Sequence, residues 1–476
     1  MSSLDPRVKE NWKKVQKQHP YPVNAIGMRI DSNDVTTLKI WREEGLDKLI
    51  KADSENGGGR NKTTGLVAAL VVIAGAAAFG GWQLYGAKDK SDRGKEVNEV
   101  ITPEIGVNDK EILMGMSAAF TGPAAELGIG MRAGIEACFQ DVNDKGGVHG
   151  RKLSLVSLDD GYEPKQCLDN MHDLLDSQKV FATIGNVGTP PAQVAVPFSM
   201  EKKRLFFGAY TGAGLLRKTP PDRYVFNYRA SYEEETGAIV RFLVKVKKVP
   251  LDQIAVFAQK DAYGDSGFQG VLKTVESLGG DPKKVTRVSY ERNTVNVEPA
   301  VQEILRQKDR IKAIVMVPAY KPAAKFIQLL KDKEVNVFFA SVSFVNSGAL
   351  AQEFKKIGLK YAEGVIVAQV VPHYKYIATS TKHEFEDCMR RYSPQQPLDF
   401  ISLEGYIAAR LFVAGLQKTG RNLTTERLVD SLESINDLTL ETGGSVSFSS
   451  AEHQGSHTVW GTMLNAQGEY QPLLLD

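Results

Sequence analysis

Two kinds of apolar pattern run along this chain, and they divide it. From Leu66 to Tyr85 the stretch LVAALVVIAGAAAFGGWQLY carries no charge, and about twenty such residues are what a helix needs to cross a hydrocarbon core of roughly 30 Å. Trp82 and Tyr85 stand where interfacial aromatic rings anchor a spanning helix. Cleaved export signals have shorter apolar regions near the chain start, so the run predicts a retained membrane anchor over 65–86. After a charged linker at 87–108, apolar runs of strand length take over: ILMGMSA, KLSLVSL, VFATIGN, RLFFGAY, QIAVFAQ, IKAIVMV, VNVFFAS and GVIVAQV. Stretches of helical period lie between them. In 402–418, for example, Leu403, Tyr406, Ile407 and Leu411 recur at i, i+3, i+4 and i+8. That alternation predicts βαβ units and parallel sheets covered by helices. The segment 109–476 is too long for one ordinary open sheet, which predicts two α/β lobes.

Ahead of the anchor, residues 1–64 are polar and carry Trp12 and Trp41. In VTTLKIWREEGLDKLIK, Leu38, Trp41 and Leu49 stand near helical spacing, so one amphipathic helix is expected before the flexible Asn56-Gly57-Gly58-Gly59. A small docking or regulatory segment fits this region. Charge does not orient the anchor: Lys48, Lys51, Arg60 and Lys62 precede it, and Lys88, Lys90, Arg93 and Lys95 follow it.

Composition narrows the chemistry. With 42% hydrophobic and 24% charged residues the chain is of ordinary globular type, and a net charge of +2 creates no field that would attract nucleic acid. Cys138, Cys167 and Cys388 match no metal-binding spacing, and their odd number leaves at least one thiol unpaired within the chain. His453 and His457 are separated by Gln-Gly-Ser, without the glutamate of a zinc-protease helix, and there is no phosphate loop or dinucleotide fingerprint. Asp159-Asp160 ends a strand and reads as turn and cap carboxylates. No metal, cofactor or catalytic residue is therefore expected. Gly264-Asp265-Ser266-Gly267 matches the surroundings of a trypsin-like nucleophile, but Phe268 follows at a strand-to-helix junction. Asp265 and Ser266 are expected to cap the following helix.

In open parallel sheets, ligands lie beyond the carboxyl ends of the strands. There, Thr189 precedes Pro190-Pro191, a helix-start signal that leaves free N–H groups and a positive dipole end suited to a carboxylate. Tyr210 and Thr211 follow the next strand, Tyr263 follows QIAVFAQ, and Tyr320 follows IKAIVMV.

From about Glu111 to Tyr470 the chain resembles the leucine/isoleucine/valine-binding family of periplasmic substrate-binding proteins, which serve branched-chain amino acid ABC transporters. The resemblance is carried by TGPAAELGIGMRAGIEACFQDVNDKGGVHGRKLSLVSLDDGYEPKQ, ATIGNVGTPPA, LFFGAYTGA, DAYGDSG and SLEGYIAARLFVAGLQKTG. It implies a type I periplasmic binding fold with three crossovers, lobe 1 spanning about 109–229 and 370–447 and lobe 2 about 230–369 and 448–476. It also implies an extracytoplasmic binding domain, and hence a single-pass protein of the bacterial inner membrane with residues 1–64 in the cytoplasm. By the same resemblance, Thr189 and Thr211, with backbone N–H groups around Gly188 and Tyr210, would hold a ligand carboxylate, while Tyr263 and Tyr320 close over it from the second lobe.

Three departures shift the expected ligand. Ser343 stands where the family places the acid that holds the ligand's ammonium, Leu127 replaces an aromatic residue, and Tyr210 replaces a small one. A buried ammonium without a charge partner is costly. The expected ligand is accordingly a small carboxylate with no essential amine, amino acids being second. Gly188 stands at one of the family's cysteine positions, so its disulfide is expected to be missing. The expected role is a membrane-tethered binding protein delivering its ligand to an inner-membrane permease. The alternative is a ligand-sensing receptor that passes lobe closure to a cytoplasmic partner.

Overall fold

Each of the eight apolar runs becomes a strand in the computed structural model, which describes residues 104–376, 380–439 and 444–475. The expected anchor and the segment 1–64 lie outside the described residues. Among those described, no helix is long and apolar enough to cross a membrane.

The first half of the folded region contains β1 (Glu111–Ala118), α1 (Ala125–Asp144), β2 (Lys152–Asp159), α2 (Pro164–His172), β3 (Ala182–Ile184), α3 (Thr189–Lys202), β4 (Leu205–Phe207) and β5 (Val225–Phe226). These strands form a parallel sheet in the order β2-β1-β3-β4-β5. Next come α4 (Tyr232–Lys245), β6 (Ile254–Gln259), α5 (Ala262–Ser277), β7 (Thr286–Tyr290), α6 (Glu298–Arg306), β8 (Ala313–Val317), α7 (Tyr320–Lys331), β9 (Phe338–Ser341), α8 (Ser347–Ile357) and β10 (Ile366–Gln369). The chain continues through α9 (Ser380–Tyr392), α10 (Phe400–Thr419), α11 (Thr425–Glu433), the short antiparallel pair β11 (Leu438–Thr439) and β12 (Ser445–Val446), then β13 (Trp460–Leu464) and β14 (Tyr470–Leu473). The second sheet has the order β14-β13-β10-β9-β8-β6-β7, in which β13 alone is reversed, running antiparallel to its neighbours β10 and β14.

Strands β6 and β8 are buried along their whole length, which is why they read as unbroken apolar runs rather than alternating ones. Phe257 of β6 stacks on Phe326 of α7 with ring centres 3.9 Å apart. In the first lobe, α1 and α10 touch through their backbones: a Cβ on Gly134 would lie 2.0 Å from the Ser402 carbonyl oxygen. Phe412 of α10 packs on Phe207 of β4 at 5.3 Å, tying residues far apart in sequence to the first sheet.

The chain passes between the lobes after β5, after β10 and before β13. Two of these passages are paired with each other, because Asn227 N–H donates to the His453 carbonyl at 2.9 Å and Gly455 N–H to the Asn227 carbonyl at 2.8 Å.

Two helix starts differ from the sequence reading. Gly188, not Thr189, occupies the cap of α3, and Thr189 is the first helical residue with no capping hydrogen bond. Asp261 caps α5, its carboxylate accepting from Tyr263 N–H at 3.0 Å. Asp265 and Ser266 therefore lie inside the helix rather than capping it, and Asp265 pairs with Arg287 at 2.6 Å.

Candidate functional site

The loops that leave β3 and β4 run side by side. Gly188 N–H donates to the Tyr210 carbonyl at 3.1 Å, and Tyr210 N–H to the Asn186 carbonyl at 2.8 Å. This zipper sets the Thr189 and Thr211 hydroxyls 2.7 Å apart, both fully buried, at the N-terminus of α3. Gly188 makes the approach possible: its φ is +100°, and a Cβ there would lie 2.1 Å from the Tyr162 ring.

Above this pair stands a group of aromatic rings drawn from both lobes. Phe344, in the turn before α8, is the hub. Tyr210 stacks on it at 5.2 Å, Tyr263 packs at 4.5 Å, Tyr162 at 6.0 Å, and Tyr232 meets it edge-on at 6.3 Å. The hydroxyls bind across the lobes: Tyr210 donates to the Ser343 carbonyl at 3.0 Å, and Gln259 donates to the Tyr162 oxygen at 3.4 Å. Tyr263 donates to the Pro318 carbonyl at 3.2 Å. The Tyr232 hydroxyl lies beside Thr211, buried and without a well-formed hydrogen bond. Such a group is rare in folded proteins and calls for a partner.

Behind the rings lies a cluster of buried charges. Arg229 lies over the faces of Tyr210 and Tyr232, at 4.7 and 5.8 Å. Its guanidinium meets Glu235 at 3.1 Å and Glu404 at 3.4 Å, and it bonds the Ser343 hydroxyl. Glu235 also accepts from Ser343 N–H at 2.6 Å and from its hydroxyl at 3.1 Å. Burial would weaken the charge on Arg229, but Glu404 and Glu235 more than reverse that and hold it protonated. Burial raises Glu235 above the usual carboxylate range against the pull of Arg229 and Ser343. Glu404 is pushed by burial to about 7, with Arg229 opposing and Glu235 adding to the rise.

Of the residues named from sequence, Thr189, Thr211, Tyr210, Gly188, Tyr263 and Ser343 come together in this centre. Tyr320 does not join the rings around Phe344. It lines a cleft of about 440 Å³ together with Glu126, Asn346, Tyr374, Asp399 and Tyr470. Leu127, next to Glu126, is fully buried in the first turn of α1. The segment Ser343–Asn346 links the two places, since Phe344 is the hub of the rings and Asn346 lines the cleft.

Ser343 itself is not acidic, but the fold brings an acid to it from elsewhere in the chain. Glu235 arrives there from α4, although Arg229 already engages it. Sequence reasoning also missed Tyr162, Tyr232, Phe344, Arg229 and Glu404. One local signal was available for Glu404, a lone carboxylate inside the apolar stretch FISLEGYIAARLFVAGL. The three cysteines are free and buried. Asp159 accepts from the N–H groups of Phe120, Thr121 and Gly161, and Asp160 from Tyr162 N–H, so both carboxylates hold turns. Among the described residues no group of His, Cys, Asp and Glu is placed to hold a metal.

A family model described as periplasmic binding protein matches residues 111–469. The chain is 24% identical over 336 residues to the Leu/Ile/Val-binding protein BraC3 of Rhizobium johnstonii, covering 68% of this chain and 83% of that one. A solved structure of a possible leucine/isoleucine/valine-binding protein from Rhodopirellula baltica is similar with a TM-score of 0.73 and 38% identity, over 79% of this chain and 98% of that one. A substrate-binding periplasmic protein from Ralstonia solanacearum is similar with a TM-score of 0.69 and 25% identity, over 76% of this chain and all of that one.

Proposed function

The chain belongs to the periplasmic binding protein family, and on that premise we propose that it is a membrane-tethered solute-binding protein that captures a small carboxylate for an ABC-type uptake system. Membership implies an extracytoplasmic binding domain, and the relatives are substrate-binding proteins. One relative is a Leu/Ile/Val-binding protein and another a possible leucine/isoleucine/valine-binding protein, which supports a compact, branched skeleton for the ligand here.

The observation that carries the carboxylate reading is the buried pair of threonine hydroxyls at the start of α3. The two share one hydrogen bond, so one hydroxyl proton is left to donate elsewhere, and the positive end of the helix favours an anion at that point. The under-used Tyr232 hydroxyl adds a second free donor beside them. A requirement for an ammonium group is disfavoured by the state of the nearby acids, because Arg229 engages both Glu235 and Glu404. The ring cage from both lobes supplies the apolar contact that would hold lobes and ligand together.

Calorimetry on the full-length protein with leucine and its amine-free analogue 4-methylpentanoate tests this. The acid should bind at least as tightly as the amino acid. Tight binding of leucine with no binding of any amine-free acid overturns the reading. The tether is tested separately by fractionation: deletion of residues 66–85 should release the protein from membranes, and an unchanged membrane fraction removes that part of the proposal.

A further inference from the structure

The buried charges behind the ring cage do not stay balanced when an anion enters. Arg229 lies in the passage after β5, Glu235 in α4 and Glu404 in α10, while Ser343 reaches them from the second lobe. All three ionic groups are buried. A second guanidinium faces them: Arg217 is held by main-chain carbonyls of Thr211, Ala213 and Arg229 at 2.9 to 3.4 Å. Glu234, at the outer edge, is tied to Ser231, Gln454 and His457. The phenols of Tyr210 and Tyr232 complete the surroundings.

Arg229 and Arg217 together balance Glu235 and Glu404. A carboxylate arriving at Thr189 and Thr211 adds one negative charge with no cation to match it. In a buried setting an unmatched charge is relieved by protonation of the group best placed to accept. Glu235 is poorly placed, because the Ser343 N–H and hydroxyl both donate to it and favour its ionised form. Glu404 has no hydrogen bond from Ser343 and stands farther from Arg229, at 3.4 Å against 3.1 Å.

We propose that closure over an amine-free carboxylate takes up one proton from solvent at the Glu404 carboxylate, whereas closure over a zwitterionic amino acid takes up none. This rests on the carboxylate reading above. The proton comes from the buffer and forms the O–H bond of a neutral Glu404, leaving the buried centre with its charge restored. Burial has already brought this carboxyl close to neutrality. The rise to about 7 belongs to the arrangement with the lobes together. Where the open protein holds Glu404 ionised, as at pH 8, closure over the acid imports one proton, and affinity for the acid should fall by up to about tenfold per pH unit as pH rises.

The test is calorimetry of the full-length protein at pH 8 in phosphate and in Tris, two buffers with different ionisation enthalpies. With 4-methylpentanoate the apparent enthalpy should differ between buffers by the amount for close to one proton taken up, and with leucine it should not. E404Q should abolish both the buffer dependence and the pH dependence. Binding of the acid by the wild-type protein with equal enthalpy in both buffers overturns the inference while leaving the carboxylate reading intact, as does full proton uptake in E404Q. If neither 4-methylpentanoate nor benzoate binds at any pH, the carboxylate reading itself falls and takes the inference with it.

Discussion

Arg229 is buried between two carboxylates, with Arg217 as the second guanidinium acting on Glu404. Replacing it by methionine strands Glu235 and Glu404, so R229M should lose about 3–5 kcal/mol of stability in denaturant unfolding, and the double variant R229M/E404Q should recover part of that loss. An unchanged midpoint for R229M would mean that the pairing contributes nothing. Glu404 alone behaves in the opposite sense. Its folded-state value of about 7 lies above the ordinary 4.5, so the folded protein binds this proton more tightly than the unfolded chain does. The resulting penalty is absent below about pH 4.5, grows as pH rises and is complete above about 7. E404Q should therefore be more stable than the parent at pH 8.5, by on the order of 3 kcal/mol, and equal to it near pH 4.5. These residues also mark where sequence reading stopped. Thr189, Thr211 and Tyr263 follow strands, where an open sheet places its ligands, and that rule needs only local pattern. Arg229, Glu235 and Glu404 meet only because α4 and α10 converge on one passage between lobes, which no spacing along the chain encodes.

Elements were easier to read than their ends. Most of the eight recognised strands are continuous apolar runs because helices bury them; the edge strand β2 (KLSLVSLD) still shows regularly alternating apolar residues, whereas β7 (TRVSY) is shorter and more polar at the edge of the second sheet, and β5, β11 and β12 have two residues each. The cap of α3 was misread because Thr-Pro-Pro is a strong start signal, yet Gly188 takes the cap in a positive-φ conformation under the Tyr162 ring. Between elements, the loop after β7 reaches across the cleft to the start of α2. Arg292 pairs with Glu163 at 2.7 Å, and Asn293 donates to the Gly161 carbonyl at 3.0 Å and to Glu163 at 2.7 Å. These contacts exist only while the lobes are together. The double variant R292A/N293A should speed ligand release by roughly three- to tenfold, as partly exposed polar contacts allow, with little change in the thermal midpoint of the ligand-free protein. Stopped-flow displacement measures the first and calorimetric scanning the second. A lowered midpoint with unchanged release would assign the loop to folding rather than to closure.

At the scale of the whole molecule, closing the lobes means rotating two sheets about passages that are themselves paired, Asn227 against His453 and Gly455. Such a hinge bends as a unit, so closure should approach a two-state change rather than a series of loop movements. A reporter is built in. Trp460 is the only tryptophan among the described residues, it opens β13 directly after the third passage, and it pairs with Gln369 directly before the second. Its half-buried ring sits where the two passages meet the sheet, and its surroundings change when they bend. Ligand addition should shift the intrinsic fluorescence along a single saturable curve, and Trp460→Phe should remove that change while calorimetric binding persists. In R292A/N293A the full amplitude should return at higher ligand concentration, because loss of the latch moves the equilibrium between open and closed forms without altering either end state. A smaller amplitude at saturation would instead mean that the closed form itself had changed, and the hinge would then not be the two-state element on which capture depends.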